Sequence, residues 1–208
     1  MFFITGQEYR QRVEPELRKI FLSTNSNSPL FGCNVESVKI LYEYLPPDVQ
    51  IINAIIRAAS ILGDTGLYIS ITNETIVEDN AHPPEHWWVP FDEVSIYLSC
   101  NTDVFGFAYQ LENVIYSPQG KWGLMYSFEK YGILAGNKDF IQHFSQDFPL
   151  IDRQISKYLD FVRECITVHG LGKVNITWLG SFLKKVYGTD IARVLLQESQ
   201  LEEYVCVE

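Results

Sequence analysis

Between Arg57 and Lys121 the sequence has no lysine and no arginine. Nine carboxylates fall in that stretch: Asp64, Glu74, Glu78, Asp79, Glu85, Asp92, Glu93, Asp103 and Glu112. Across the 208 residues, 26 Asp and Glu stand against 16 Lys and Arg, for a formal net charge of -10. Residues 66–150 hold 3 basic and 11 acidic side chains, so -8 of that -10 lies in the middle of the chain. Nucleic-acid affinity rests on Lys and Arg displacing condensed counterions, so direct nucleic-acid binding is not expected. Anionic membrane surfaces would repel such a chain for the same reason.

Other absences narrow the class further. The 4 cysteines, Cys33, Cys100, Cys165 and Cys206, match no zinc or redox spacing. Cys100 and Cys165 read as small core residues. The N-terminal Met1-Phe2-Phe3-Ile4-Thr5-Gly6 lacks a basic run followed by a long apolar one, so it does not read as a secretory signal. Ile51 to Leu62, the longest apolar segment, is interrupted by Asn53, Arg57 and Ser60 and is too short to span a bilayer. A cytoplasmic protein with no membrane association is the expectation. Internal repeats at solenoid or propeller periods are missing. So is a Gly-x-Ser-x-Gly elbow, and His169-Gly170-Leu171-Gly172-Lys173 lacks the loop length and the Ser or Thr of a phosphate cradle. No cofactor is expected. Enzymatic activity is left open, with the balance against it.

The chain nevertheless has what a packed globule needs: 47% hydrophobic residues, including 13 Phe, 12 Tyr and 4 Trp. The first third reads as helical. Thr5 and Glu8 have capping-box spacing ahead of the stripe Tyr9, Val13, Leu17, Ile20 and Phe21. The polar tract from Ser23 to Pro29 reads as a loop. Asn34 is placed to cap a helix with the stripe Val35, Val38, Leu41, Tyr42 and Leu45. Pro46-Pro47-Asp48 opens a third helix to Leu62, apolar nearly all round and therefore central.

The period then changes. Leu67 to Ile71 reads as a strand. Val94, Ile96, Leu98 and Cys100 alternate with polar neighbours as a half-buried strand should, and Phe105 to Leu111 reads as the next, antiparallel to it. Ser117-Pro118-Gln119-Gly120 has turn chemistry, with Trp122 to Tyr126 pairing back. After Asn137 the helical period returns: Lys138 to Phe148, Ile151 to His169, a helix capped by Thr177, and Ile191 to Gln197, with Leu201 to Val207 as a terminal strand. These elements predict an α+β fold. A central antiparallel sheet of about four to five strands, within 67–134, is flanked by N-terminal and C-terminal helices. A single domain is expected over 1–208, helical in 5–62, mainly β in 67–134 and helical in 137–198.

Two neighbouring segments carry the candidate sites. Glu78-Asp79-Asn80-Ala81-His82-Pro83-Pro84-Glu85-His86 gathers imidazole and carboxylate, the ligand types of Zn²⁺, Mn²⁺ or Fe²⁺. His82, His86 and Glu85 are the metal candidates. The two prolines keep His82 and His86 off a shared helix face, so a structured surface loop is the simpler reading. The second segment, Trp87-Trp88-Val89-Pro90, is extended; adjacent side chains point oppositely, so one tryptophan should enter the core and the other face outward. An outward Trp among carboxylates would make an interface anchor. Glu78, Asp79, Glu85, Trp87, Trp88, Asp92, Glu93 and Tyr97 are therefore the candidate partner-binding residues. The corresponding function is a non-enzymatic acidic interaction protein binding a basic partner, as an inhibitor or immunity protein of a bacterial nuclease toxin would. The alternative is a small-molecule or metal-binding domain, with hydrolytic chemistry in the 78–86 loop.

Overall fold

Thr5 opens the first helical segment by the predicted cap, its Oγ1 accepting the Glu8 amide at 3.3 Å. A computed structural model describes residues 1–42, 48–71, 85–98 and 112–205, with the backbone alone at Tyr97. The chain begins with the short strand β1 (Phe2–Phe3), then α1 (Gly6–Glu8), a π-helical turn at Tyr9–Val13 and α2 (Glu14–Arg18). Pro15 sits in the first turn of α2 and has no N–H to offer, which breaks the regular ladder next to the widened turn. A small hairpin of β2 (Phe21–Ser23) and β3 (Leu30–Phe31) follows. Next come β4 (Ser37–Tyr42), α3 (Val49–Ile61), β5 (Gly66–Ile71), β6 (His86–Pro90), a 3₁₀ turn at Phe91–Glu93 and α4 (Val94–Leu98). The strands β7 (Asn113–Tyr116), β8 (Trp122–Ser127) and β9 (Tyr131–Gly136) complete the sheet. The chain ends in α5 (Lys138–Asp147), α6 (Gln154–His169), α7 (Leu179–Tyr187) and α8 (Thr189–Glu198).

The fold is α+β, as predicted, but its antiparallel sheet has seven strands in the order β1-β6-β5-β7-β8-β9-β4. Of the predicted strands, Leu67–Ile71 and Trp122–Tyr126 recur as β5 and β8; β1, β4, β6, β7 and β9 are additional, and β1 and β4 form the edges. Helices cover both faces. Alternate strand residues such as Leu67, Ile69, Ile115, Leu124 and Leu134 pack under α3 and α5. Those of opposite parity, such as Tyr68, Val114, Met125 and Ile133, pack under the N-terminal helical segment and α6 to α8. Asp48 caps α3 and Asn137 caps α5, each accepting an amide of the first turn, at 2.7 and 2.9 Å.

Coverage of both faces explains the main corrections. The segment read as a helix after Asn34 is β4, paired with β9 along its length. A strand buried on both sides has no apolar alternation, and its valine, isoleucine and leucine spacing imitates a helical stripe. Conversely, the alternation beginning at Val94 belongs to helix α4, whose turn opens with Pro90, Asp92 and Glu93, a helix-start signature. The predicted partner strand, Phe105 to Leu111, lies outside the described residues. The first helix stops at Arg18, and Phe21 is already in strand. Leu201–Val205 is a turn packed on the core, not a strand. Thr177 does not cap α7; its hydroxyl bonds to Asn175 Oδ1 at 2.9 Å.

Candidate functional site

The β1–β6 edge gathers the predicted residues that fall in described segments. Phe2 pairs with Trp88 and Phe3 with Trp87, and β5 takes the other side of β6. Because strand parity separates two covered faces here, neither indole stands free in solvent. Trp87 packs toward α3 with Phe3 edge-on at 5.2 Å, while Trp88 packs toward the opposite face with Tyr68 at 5.1 Å. Both indoles are half-buried. The side chains that do stand out are Phe2 and Phe3, 55% and 47% exposed. Glu85 precedes β6 and is half-buried; Asp92 follows it and is exposed; Glu93 meets the Met1 amino group. A five-residue strand is about 17 Å long, so Glu85 and Asp92 bracket an aromatic edge of that length. Glu78, Asp79 and His82 lie outside the described residues, and at Tyr97 only the helical backbone is described.

The cations on either side of the basic-free stretch are engaged elsewhere. Arg57 Nε pairs with Asp147 at 2.7 Å, and Lys121 Nζ donates to the Leu62 carbonyl at 2.8 Å. Arg12 pairs with Glu8, Arg18 with Glu14, Lys19 with Glu16, Lys39 with Asp152 and Arg163 with Asp160. Among the described residues, no ion pair engages Glu85 or Asp92. Two other carboxylates of the acidic stretch are structural. Buried Asp64 accepts from Ser117 Oγ, Gln119 Nε2 and Trp122 Nε1 at 2.8, 2.7 and 2.9 Å, tying the α3–β5 connection to the β7–β8 turn. Glu112 Oε1 accepts from Ser26, Ser127 and the Phe128 amide.

His86 is the first residue of β6 and is buried, not part of a surface loop. Its Nδ1 lies 2.8 Å from Ser70 Oγ, and Ser70 Oγ lies 2.9 Å from the Tyr116 hydroxyl. The Tyr9 ring lies over the imidazole at 3.3 Å, nearly parallel. Burial alone pushes His86 down to about 4, and burial foremost pushes Tyr9 up to about 12. A serine beside a histidine has the makings of a nucleophile and its base. Here Ser70 is 2% exposed and Tyr9 closes the imidazole face, so no substrate reaches the oxygen. The network is a polar seam across β6, β5 and β7. Among the described residues no three His, Cys, Asp or Glu side chains converge as metal ligands, and no helix is long and apolar enough to cross a membrane.

Sequence reasoning missed Phe2 and Phe3 because two residues carry no period. It missed Ser70 and Tyr116 although Ser70 is the one polar side chain in Gly66–Ile71, a signal for a buried hydrogen-bonded partner. No protein-family model, no curated protein and no solved structure matches this chain.

Proposed function

We propose that the protein is a non-enzymatic interaction protein that binds a basic partner through the β1–β6 edge, in the manner of an inhibitor or immunity protein directed at a nuclease toxin. The observation that carries this reading is that the two cations bounding the basic-free stretch are engaged elsewhere, Arg57 with Asp147 and Lys121 with the Leu62 carbonyl, while Glu85 and Asp92 have no cationic partner among the described residues. Between those two carboxylates lie Phe2, Phe3, Trp87 and Trp88, the aromatic type that dominates interface energetics. β1 is only two residues long and Pro90 ends β6, so the edge offers few free backbone groups for strand addition. The contact is therefore made by side chains. Net charge of the same sign argues against nucleic acid as the direct ligand and for a protein that itself binds nucleic acid.

The test is an affinity capture from the native host with the wild-type chain and with a Glu85→Lys/Asp92→Lys double variant as baits. A basic protein held by the wild type at low salt, released as ionic strength rises and lost from the double variant is the expected result. Equal capture by both baits, or capture insensitive to salt, would refute the assignment.

A further inference from the structure

A cavity of about 130 Å³ lies far from that edge in sequence, between the β8–β9 turn and the C-terminal helices. Four rings are among its lining residues: Tyr158 and Phe161 from α6, Trp178 from the turn before α7, and Phe128 from the β8–β9 turn. The rings are held in place. Trp178 Nε1 donates to the Asn175 carbonyl at 3.1 Å, and its indole stacks on Tyr131 at 5.6 Å and meets Phe182 edge-on at 5.4 Å. For scale, an engineered apolar cavity of about 150 Å³ accommodates benzene, so this one has room for about one ring.

Charge decides what else the occupant carries. Glu129 lines the cavity, and partial burial together with the neighbouring Glu112 carboxylate raises its pKa. A cation beside Glu129 would relieve both effects. The ring faces are electron-rich and attract cations, and the wall already holds one: Lys130 Nζ sits 4.8 Å from the Phe161 centroid. Lys130 adopts φ 64°, the left-handed conformation a lysine seldom takes, at the tip of the turn. An anion would meet the Glu129 carboxylate, the one acidic side chain that lines the cavity among the described residues.

We propose that this cavity is a binding site for a small organic cation, an ammonium group on an apolar body of about one ring. The ammonium takes the place of Lys130 Nζ against Phe161 and meets Glu129, and the ring enters between Tyr158 and Trp178. Lys130 is thus an internal competitor that the ligand displaces. This site is independent of the β1–β6 edge, and neither reading depends on the other.

The probe is phenethylammonium chloride, titrated against the full chain while the Trp178 indole N–H is followed by ¹H–¹⁵N NMR; 2-phenylethanol and phenylacetate supply the neutral and anionic versions of the same body. Saturable binding in the millimolar range or tighter is expected for the cation, with 2-phenylethanol about fivefold to tenfold weaker and phenylacetate weaker still. The variants should move in opposite directions. Glu129→Gln weakens the cation about tenfold, and Lys130→Gly, which accommodates a positive φ, tightens it severalfold. Native dispersion of the spectra verifies that each variant folds. No shift of the Trp178 signal at 10-fold molar excess over about 1 mM protein overturns the proposal. So does equal affinity for cation and alcohol, or weaker binding by Lys130→Gly. N-acetyl-lysine amide tests whether a protein lysine could be the source; binding tighter than phenethylammonium would overturn the ring-bodied assignment.

Discussion

Replacing Asp64 separates the value of a buried acceptor from the value of its charge. The carboxylate is 4% exposed and takes hydrogen bonds from Ser117, Gln119 and Trp122. In Asp64→Ala, Gln119 can turn toward water, because it is only partly buried, but Ser117 and Trp122 are both 0% exposed. Two buried donors are then orphaned, at about 1–3 kcal/mol each, while relief of the carboxylate's own desolvation returns part of that. A net loss of about 2–4 kcal/mol is expected, which in a chain of this size lowers Tm by about 5–15 °C. Asp64→Asn behaves differently. Its oxygen can occupy the Oδ2 position and accept from Ser117 and Trp122, while its NH₂ faces a Gln119 amide flipped to present oxygen. That variant should lose less than about 1 kcal/mol. Urea unfolding followed by tryptophan fluorescence, with calorimetry, measures both. An Asn variant as unstable as the Ala variant would mean that charge, not acceptor geometry, holds the turn. An Ala variant within about 0.5 kcal/mol of wild type would refute the network's structural role.

Burial lowers His86 from 6.5 to about 4, so between those values the unfolded chain binds a proton there that the folded chain does not. Stability attributable to neutral His86 is complete above pH 6.5 and is lost as pH falls toward 4, by about 3 kcal/mol over the window; a His86→Asn variant should show a correspondingly shallower pH dependence in chemical denaturation. Gly32→Ala should destabilise by more than about 2 kcal/mol, because its Cβ would lie 2.3 Å from the Lys19 carbonyl carbon, whereas Gly172→Ala meets nothing within 4 Å and should be near neutral in the same assay.

What was legible in the sequence followed from elements with one wet face or a strong cap. Thr5, Asn137 and the Ser117–Gly120 turn all act as their chemistry predicts. The amphipathic run Ile155, Tyr158, Leu159, Val162 and Ile166 is the buried face of α6. Legibility failed where both faces of a strand are dry. In β4, Val38 and Ile40 pack on one side and Leu41 on the other, so the period-2 signal vanishes and Val35, Val38, Leu41 and Tyr42 counterfeit a helix. The same two-sided burial undid the expectation of one buried and one outward tryptophan, since both parities of β6 meet packed layers. At Val94 a five-residue run fits both periods, and the acidic 3₁₀ turn before it settles the contest for helix. The carboxylates could be counted in the sequence but not sorted. Only their hydrogen bonds separate buried Asp64 and anchored Glu112 from exposed Asp92.

An open sheet must end twice, and each end exposes backbone groups that invite pairing. This chain treats its two ends unequally. At β4 the edge is closed from within: the Ile40 amide donates to the Tyr187 hydroxyl at 3.1 Å, and burial drives that phenol's pKa upward. Lys39 pairs across to Asp152, so the edge is fastened by charge as well. At β1 the fastening is at the chain terminus: the Met1 amino group pairs with Glu93, and the Ile4 amide donates to the His86 carbonyl at 2.8 Å. Two exposed phenylalanines and a proline blunt the edge against indiscriminate strand addition, and they leave apolar surface in solvent. A standard interface buries about 800 Å² per partner, so a partner at this edge would reach beyond the two-residue β1 onto neighbouring surface. On the proposed reading, affinity at this edge comes from aromatic anchors packed against Tyr68 and Phe3, and rate from Glu85 and Asp92, which have no cationic partner among the described residues. Exposed rings at an edge are an association liability, whereas unpaired carboxylates beside them oppose indiscriminate association. On the proposed reading, exposed rings and unpaired carboxylates at the β1 end, set against the closed β4 end, are what a docking surface requires.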